Sequence, residues 1–301
     1  MKKLFLITIV VSVLFACEEN AINEATTEEV VSESIETLVL KDAEVEEADE
    51  MSDYEIDFFS CSKKSMSEFS LLWHQLQSGN KVACGGRYEI GQCPFLSIDD
   101  ADNGYPITIT IDYGEGIELC NGRTISGKII ITFSAPPFTD GSSREIIFED
   151  FTIESLRMSG TKTMTFEGTE STRIFKVSSE MEYTFADGST VTRTVNKTKE
   201  WVAGLDTGLD PSDDVIEITG SVKVVDNEGN VLLKEIDETN PLVKTGTCMF
   251  ITEGVVIFYK NGEEIGSLDY GDGECDFKAE LTLNGITEEI FIGLRFGRCG
   301  K

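Results

Sequence analysis

The pattern of apolar and polar residues after Pro106 predicts β-structure along most of the chain. Segments such as ITITIDY, KIIITF, REIIFEDFTI and TVTRTVNKTKEW are rich in β-branched and aromatic residues. Ile107, Ile109 and Ile111 alternate with Thr108 and Thr110, which is the period of a strand with one face on a core and the other toward water. The pattern therefore predicts a series of about a dozen half-buried strands.

Turn signals between these segments predict that consecutive strands pair antiparallel. Asn-Gly and Asp-Gly favour positive φ and hence tight hairpins, and such pairs stand at 121–122, 187–188, 261–262 and 284–285. The predicted fold class is all-β: a long antiparallel meander that forms a curved sheet, a sandwich or a barrel-like structure. One short N-terminal helix precedes it, because Ser65 and Glu68 have capping-box spacing and Gly79 is placed to end the helix.

The first sixteen residues have the features of a signal peptide. Met1-Lys2-Lys3 is basic, and the apolar run from Leu4 to Ala16 has thirteen residues, fewer than the roughly twenty of a membrane-spanning helix. The run ends in LFAC, which resembles the bacterial lipobox. This resemblance implies that residues 1–16 are removed and that Cys17 carries a lipid, which anchors the protein in a membrane.

Residues 17–55 are predicted to form an acidic, disordered tether. Between Glu18 and Glu55 there are fifteen Asp or Glu residues and one base, Lys41. Such a segment repels itself and has few apolar residues to bury. Glu18 and Glu19 resemble the acids that favour surface export in some Gram-negative lipoproteins, which implies an outer-membrane lipoprotein on the periplasmic or cell-surface face.

The charge of the whole chain argues against one class of partner. The formal net charge is −30, whereas nucleic acid binding requires clustered Lys and Arg. We therefore expect no nucleic acid partner, and contact with the membrane only through the N-terminal lipid.

Residues 56–301 are predicted to form one β-rich domain, and a repeated motif predicts that this domain contains an internal duplication. DYGEG begins at Asp112 and DYGDG at Asp269. The first motif lies between Cys93 and Cys120 and the second between Cys248 and Cys275, and both cysteine pairs are 27 residues apart. We therefore predict two related halves, about 84–180 and 200–300, in which each Asp-Tyr pair ends a strand.

The same spacing predicts one disulfide in each half, Cys93–Cys120 and Cys248–Cys275, because an exported chain folds where disulfides persist. A pairing across the halves, Cys120 with Cys275, is the alternative. Three other cysteines remain, Cys61, Cys84 and Cys299, and Cys299 is expected to pair with one of the other two.

Several segments resemble those of a group of hypothetical lipoproteins from Bacteroidota-type bacteria. They are YPITITIDYGEGIELCNGRTISGKIIITF, KEWVAGLDT, DDVIEITGSV and GSLDYGDGECDFKAELTLNG, within about 84–292. The resemblance implies no established activity, and so it provides no catalytic residue.

The two repeated motifs are also candidate calcium sites. Calcium takes six to eight oxygen ligands and tolerates irregular loops, but acids and glycines also form ordinary exposed turns, and neither motif matches the EF-hand loop. The candidate ligands are Asp112, Glu115, Asp269, Asp272, Glu274 and Asp276.

Three function classes are compatible with this sequence. The first is a membrane-anchored, surface-exposed structural or binding module, and the second is a carrier of an apolar ligand in a β cavity. The third is a polysaccharide-acting enzyme, which ranks last because the chain has a single histidine and no G-x-S-x-G motif. A protein, a glycan and an apolar molecule all remain open as ligands, and no catalytic residue is predicted.

Overall fold

The computed structural model describes residues 21–60, 94–100, 104–119, 122–169, 171–207, 211–248, 250–276 and 278–291, with helix side chains from 37 to 56. It contains one long helix and fourteen strands. They are α1 (Ala21–Ser60), β1 (Phe95–Asp100), β2 (Ile107–Glu118), β3 (Thr124–Phe133), β4 (Ser143–Ile153), β5 (Leu156–Thr169), β6 (Thr172–Thr184), β7 (Thr190–Ala203), β8 (Val215–Asp226), β9 (Val231–Ile236), β10 (Leu242–Thr245), β11 (Glu253–Lys260), β12 (Glu263–Asp272), β13 (Lys278–Leu283) and β14 (Ile286–Phe291).

The strands form one antiparallel sheet in nearly sequential order, which confirms the predicted all-β meander. One interruption breaks this order: β9 and β10 both pair with β8 and with β11, each along a different part of those strands. Asn261-Gly262 and Asn284-Gly285 form tight turns, and all four residues have positive φ. These hairpins follow from local sequence, because Asn and Gly adopt that conformation at little cost.

The sheet curves around α1. Side chains of the helix from Asp42 to Glu55 contact strands from β9 to β2. Seven strand spacings separate β2 from β9, roughly 34 Å in a flat sheet, whereas these two helix residues lie roughly 20 Å apart along the axis. A single helix reaches both strands because the sheet is concave toward it.

The core lies between α1 and this concave inner face. One apolar cluster joins Val45, Met51 and Ile56 of the helix to β1–β6. A second cluster joins Leu38 to the strands from β7 onward. The helix therefore forms the second layer that a single sheet needs in order to bury its apolar face.

The long helix corrects the expectation of a disordered tether at 17–55, because from Ala21 this segment is helical. Its acids face bases on the sheet, so the self-repulsion that predicted disorder is offset by opposite charges. The short helix predicted between Ser65 and Gly79 lies outside the described residues. No helix in the described part of the chain is long and apolar enough to cross a membrane.

Candidate functional site on the inner face

Direct strand pairing identifies which side chains share the inner face. Residues paired directly across strands point to the same side of a sheet, and every second residue along a strand does so as well. On β7 the inner face therefore carries Val191, Arg193, Val195, Lys197, Lys199 and Trp201. The residues between them are polar and form the outer face.

Beneath the helix lies a group of buried charges, here named the inner charge cluster: Asp42, Glu46, Asp49, Arg193 and Lys234. The guanidinium of Arg193 pairs with all three acids, at 3.3 Å for Asp42 and for Glu46. The ammonium of Lys234 lies 2.6 Å from Asp42 and 2.9 Å from Glu46. Only 3% of Arg193 and 3% of Asp42 are exposed, so the pairs of Asp42 with Arg193 and Lys234 are shielded from water.

Opposite charges within the inner charge cluster shift the pKa values of Glu46 and Lys234. Burial by itself raises the pKa of Glu46, but Lys234 and Arg193 lower it by more, so its net pKa lies far below the usual value. Burial disfavours the charge on Lys234, and Asp42 and Glu46 outweigh this effect and raise its pKa. Glu46 and Lys234 are therefore both charged at neutral pH. They fix the position of α1 on the sheet, since an unpaired buried charge is strongly unfavourable.

Two further contacts hold the C-terminal part of α1. Tyr113 of β2 donates a hydrogen bond of 2.7 Å to Glu55, whose side chain is fully buried. Lys162 of β5 pairs with Asp53. Between Leu38 and Ile56 the helix is thus held by polar contacts that alternate with apolar ones.

Next to the inner charge cluster the inner face carries a second group of bases, here named the basic belt. Pairing places Lys197 in one row with Val177, Met164 and Arg144, across four strands. The basic belt consists of Arg144, Lys162, Lys197, Lys199 and Lys244.

The acids of α1 only partly neutralise the basic belt. Burial raises the pKa of Asp53, but Lys162, Lys199 and Arg144 lower it by more. The pKa of Glu50 is raised by burial, and Lys244 and Lys197 offset only part of this rise. Among the described residues, Lys162 has an ion pair with Asp53, whereas Lys197 has none. This positive surface lies inside a chain whose net charge is −30.

Lys197 of the basic belt lies close to other cations. It makes no ion pair with any described residue, and it lies among Arg193, Lys234 and Lys199. Burial, reinforced by these three cations against the opposing effect of Glu46, lowers its pKa to about 8. The amine is therefore mostly protonated at neutral pH, in a position where a positive charge is unfavourable.

Beyond the basic belt the inner face ends in a group of rings, here named the aromatic cap: Phe138, Phe166, Phe175 and Trp201, with Arg173. Phe138 comes from the β3–β4 loop, and its ring centroid lies 5.6 Å from Phe166 and 6.1 Å from Phe175. Trp201 lies 5.3 Å from Phe175. The guanidinium of Arg173 lies over the rings of Phe138 and Trp201, at 5.6 and 5.9 Å. This arrangement provides both an apolar surface and a cation.

Phe138 is held in an unusual conformation. Its φ is 63°, in the left-handed region that bulky residues rarely adopt, and 42% of its surface is exposed. The ring contacts of the aromatic cap offset this backbone strain. Near it, the Nη1 atom of Arg173 is buried and makes no hydrogen bond to a described residue.

The predicted calcium ligands are dispersed. Asp112 and Asp269 each accept a hydrogen bond of 2.9 Å from the glycine two residues later, and Asp276 accepts one from the backbone of Lys278. Glu115 and Glu274 are exposed. Asp272 lies opposite Glu253 in the strand register of β12 and β11. In the described residues no three His, Cys, Asp or Glu side chains are arranged to hold a metal.

The two repeated motifs share local geometry. In each, the aspartate accepts a hydrogen bond from the backbone amide of the first glycine, two residues later, and both glycines of the motif have positive φ. The tyrosines pack into different clusters, Tyr113 with β1–β6 and Tyr270 with the strands from β7 onward. DYGDG ends β12 as predicted, but DYGEG lies inside β2, where bulges at Asp112–Gly114 and Gly114–Ile117 replace the predicted strand end. The duplication stays a prediction.

The predicted bridge Cys248–Cys275 is present, with Cα atoms 5.8 Å apart. Cys17, Cys61, Cys84, Cys93, Cys120 and Cys299 lie outside the described residues.

Sequence reasoning did not identify the basic belt, although one signal for it exists. In TVTRTVNKTKEW, Arg193, Lys197 and Lys199 occupy the alternate positions that Val191 and Val195 assign to the buried face. Bases at such positions indicate a charged inner face. No protein-family model matches the chain, and neither a curated protein nor a solved structure matches it.

Proposed function

We propose that this protein is an exported, lipid-anchored binding module, and not an enzyme, whose inner face binds an anionic ligand at the basic belt. The observation that carries the proposal is the ammonium of Lys197 on the inner face of a strongly acidic chain, which makes no ion pair with any described residue. The acids of α1 leave Lys197 without an ion pair, and an anion supplies the missing charge.

The lipobox-like LFAC supports the anchoring part of the proposal. From Ala21 the chain is helical, so the segment between the anchor and the sheet is a helix that rises about 1.5 Å per residue. About 25 Å of helix therefore separates Ala21 from Leu38, the first core residue among the helix side chains that the structure describes. This length holds the β domain away from the membrane and leaves it accessible to ligands.

The binding part is tested by thermal unfolding with sodium phosphate, compared with sodium chloride at equal ionic strength. A ligand that binds only the folded state stabilises it by RT ln(1 + [L]/Kd), about 2.7 kcal/mol at one hundred times Kd. We expect phosphate to raise the unfolding midpoint of the native protein and to have much less effect on Lys197→Gln.

Lys223→Gln is the matched control, because Lys223 is exposed and pairs with Thr194 on the outer face of the same sheet. It removes the same charge and is expected to respond to phosphate as the native protein does. If phosphate stabilises no variant more than chloride does, or stabilises Lys197→Gln as strongly as the native protein, the basic belt is not an anion site.

A further inference from the structure

The basic belt and the aromatic cap are continuous on the inner face. Lys199 pairs directly with Phe175, which pairs with Phe166, and Trp201 follows Lys199 on the same face of β7. From Lys197 to Trp201 the distance along the strand is roughly 13 Å. Charge and apolar surface thus lie end to end along one row of strands.

We propose that this combined surface binds an anionic amphiphile: a molecule whose carboxylate or phosphate head lies against the basic belt and whose apolar tail lies on the aromatic cap. The inference rests on the proposed function for the head group and adds the tail. Charge complementarity selects the head, because the amine of Lys197 lies at the belt and makes no ion pair with any described residue. The rings of Phe138, Phe166 and Phe175 select an apolar tail.

Phe138 has a defined part in this site. Its ring is the exposed member of the aromatic cap, and the β3–β4 loop places it over the ends of β5 and β6. A tail that enters the aromatic cap contacts this ring, and the contact adds buried apolar area. Arg173 beneath it supplies a second cation close to the tail site.

The test measures the affinity of three probes by the fluorescence of Trp201 in a Trp73→Phe background, since the chain has two tryptophans. Decanoate, below its critical micelle concentration, carries both head and tail, acetate carries only the head, and decanol carries only the tail. We expect decanoate to bind at least about tenfold more tightly than either of the others, since burying an apolar group contributes about 1.5–3 kcal/mol and each 1.4 kcal/mol is tenfold.

Two variants separate the two parts of the site. Lys197→Gln should weaken decanoate roughly ten- to hundredfold, the range for a lost charged hydrogen bond. Phe138→Gly should weaken decanoate about tenfold and leave acetate unchanged, and glycine also tolerates the positive φ at this position. Phe291→Ser, which removes a ring that is 78% exposed on β14, and Lys223→Gln are the matched controls.

A second measurement excludes general loss of structure. Because the charge on Lys197 is unfavourable in the folded protein, Lys197→Gln should raise the unfolding midpoint at pH 7 without ligand while it lowers decanoate affinity. A variant that merely damaged the fold would lower both.

The outcomes distinguish the two proposals. If acetate and decanoate bind equally and both depend on Lys197, the anion site stands and the amphiphile site is overturned. If decanol binds as tightly as decanoate and Lys197→Gln has no effect, the basic belt has no role and both are overturned.

Discussion

Replacing Arg193 with methionine tests whether the inner charge cluster holds α1 on the sheet. The substitution preserves most of the side chain's length and removes its charge. Lys234 still pairs with Asp42 and Glu46. The side chain of Asp49 then keeps only the hydrogen bond from Tyr183 among the described residues. An acid that is mostly buried is thereby left without a base.

The structure sets the size of the effect. Removing one partner of a buried ion pair costs about 3–5 kcal/mol. The side chain of Asp49 is 15% exposed and Arg193 is 4% exposed, so water relieves little of this cost and we expect about 3 kcal/mol. With a urea m-value near 3 kcal/mol/M for a chain of this size, the unfolding midpoint should fall by about 1 M.

Urea unfolding followed by far-UV circular dichroism measures this change. Arg157→Met is the matched control, because the Arg157–Asp150 pair has side chains that are 58% and 77% exposed and contributes at most about 1 kcal/mol. Adding Asp49→Asn to Arg193→Met removes the unpaired acid and should recover part of the loss. If Arg193→Met is as mild as Arg157→Met, or if the two changes are strictly additive, the inner charge cluster does not hold the helix.

Four more predictions follow from the charges and cysteines. Burial inside the concave sheet, and then Glu46, raise the pKa of Glu50 to about 7, although more than a third of its surface reaches solvent. Between pH 4.5 and about pH 7, Glu50 is ionised in the unfolded state but still protonated in the folded state. The free energy of unfolding therefore falls as the pH rises through this range. Glu50→Gln should thus raise the melting temperature at pH 8 and not at pH 4; equal shifts at both would contradict this. Cys248→Ala should lower the free energy of unfolding by about 3 kcal/mol, and non-reducing peptide mapping should recover Cys93 linked to Cys120; a Cys120–Cys275 peptide would disprove that pairing. Mass spectrometry of the mature N-terminus should find acylated Cys17, and an unmodified cysteine there would rule out the anchor.

Local sequence determined the strands and hairpins. The positive φ at Asn261-Gly262 and Asn284-Gly285 depends on the two residues themselves, and alternation in Ile107–Ile111 depends on neighbours within the same strand. The spacing of Cys248 and Cys275 also predicted their bridge, because a chain that leaves and returns over one hairpin brings its ends together. Each of these features is encoded over fewer than about thirty residues, the span of a short supersecondary motif.

Tertiary structure alone decided the state of the acidic segment and the existence of the candidate site. Asp49 meets Arg193 144 residues along the chain, and Glu46 meets Lys234 188 residues away. A local reading of residues 17–55 contains only the repulsion, so it predicts disorder. The basic belt likewise takes its bases from β4, β5, β7 and β10. They form one surface only because strand register aligns their rows and because the sheet curves around α1.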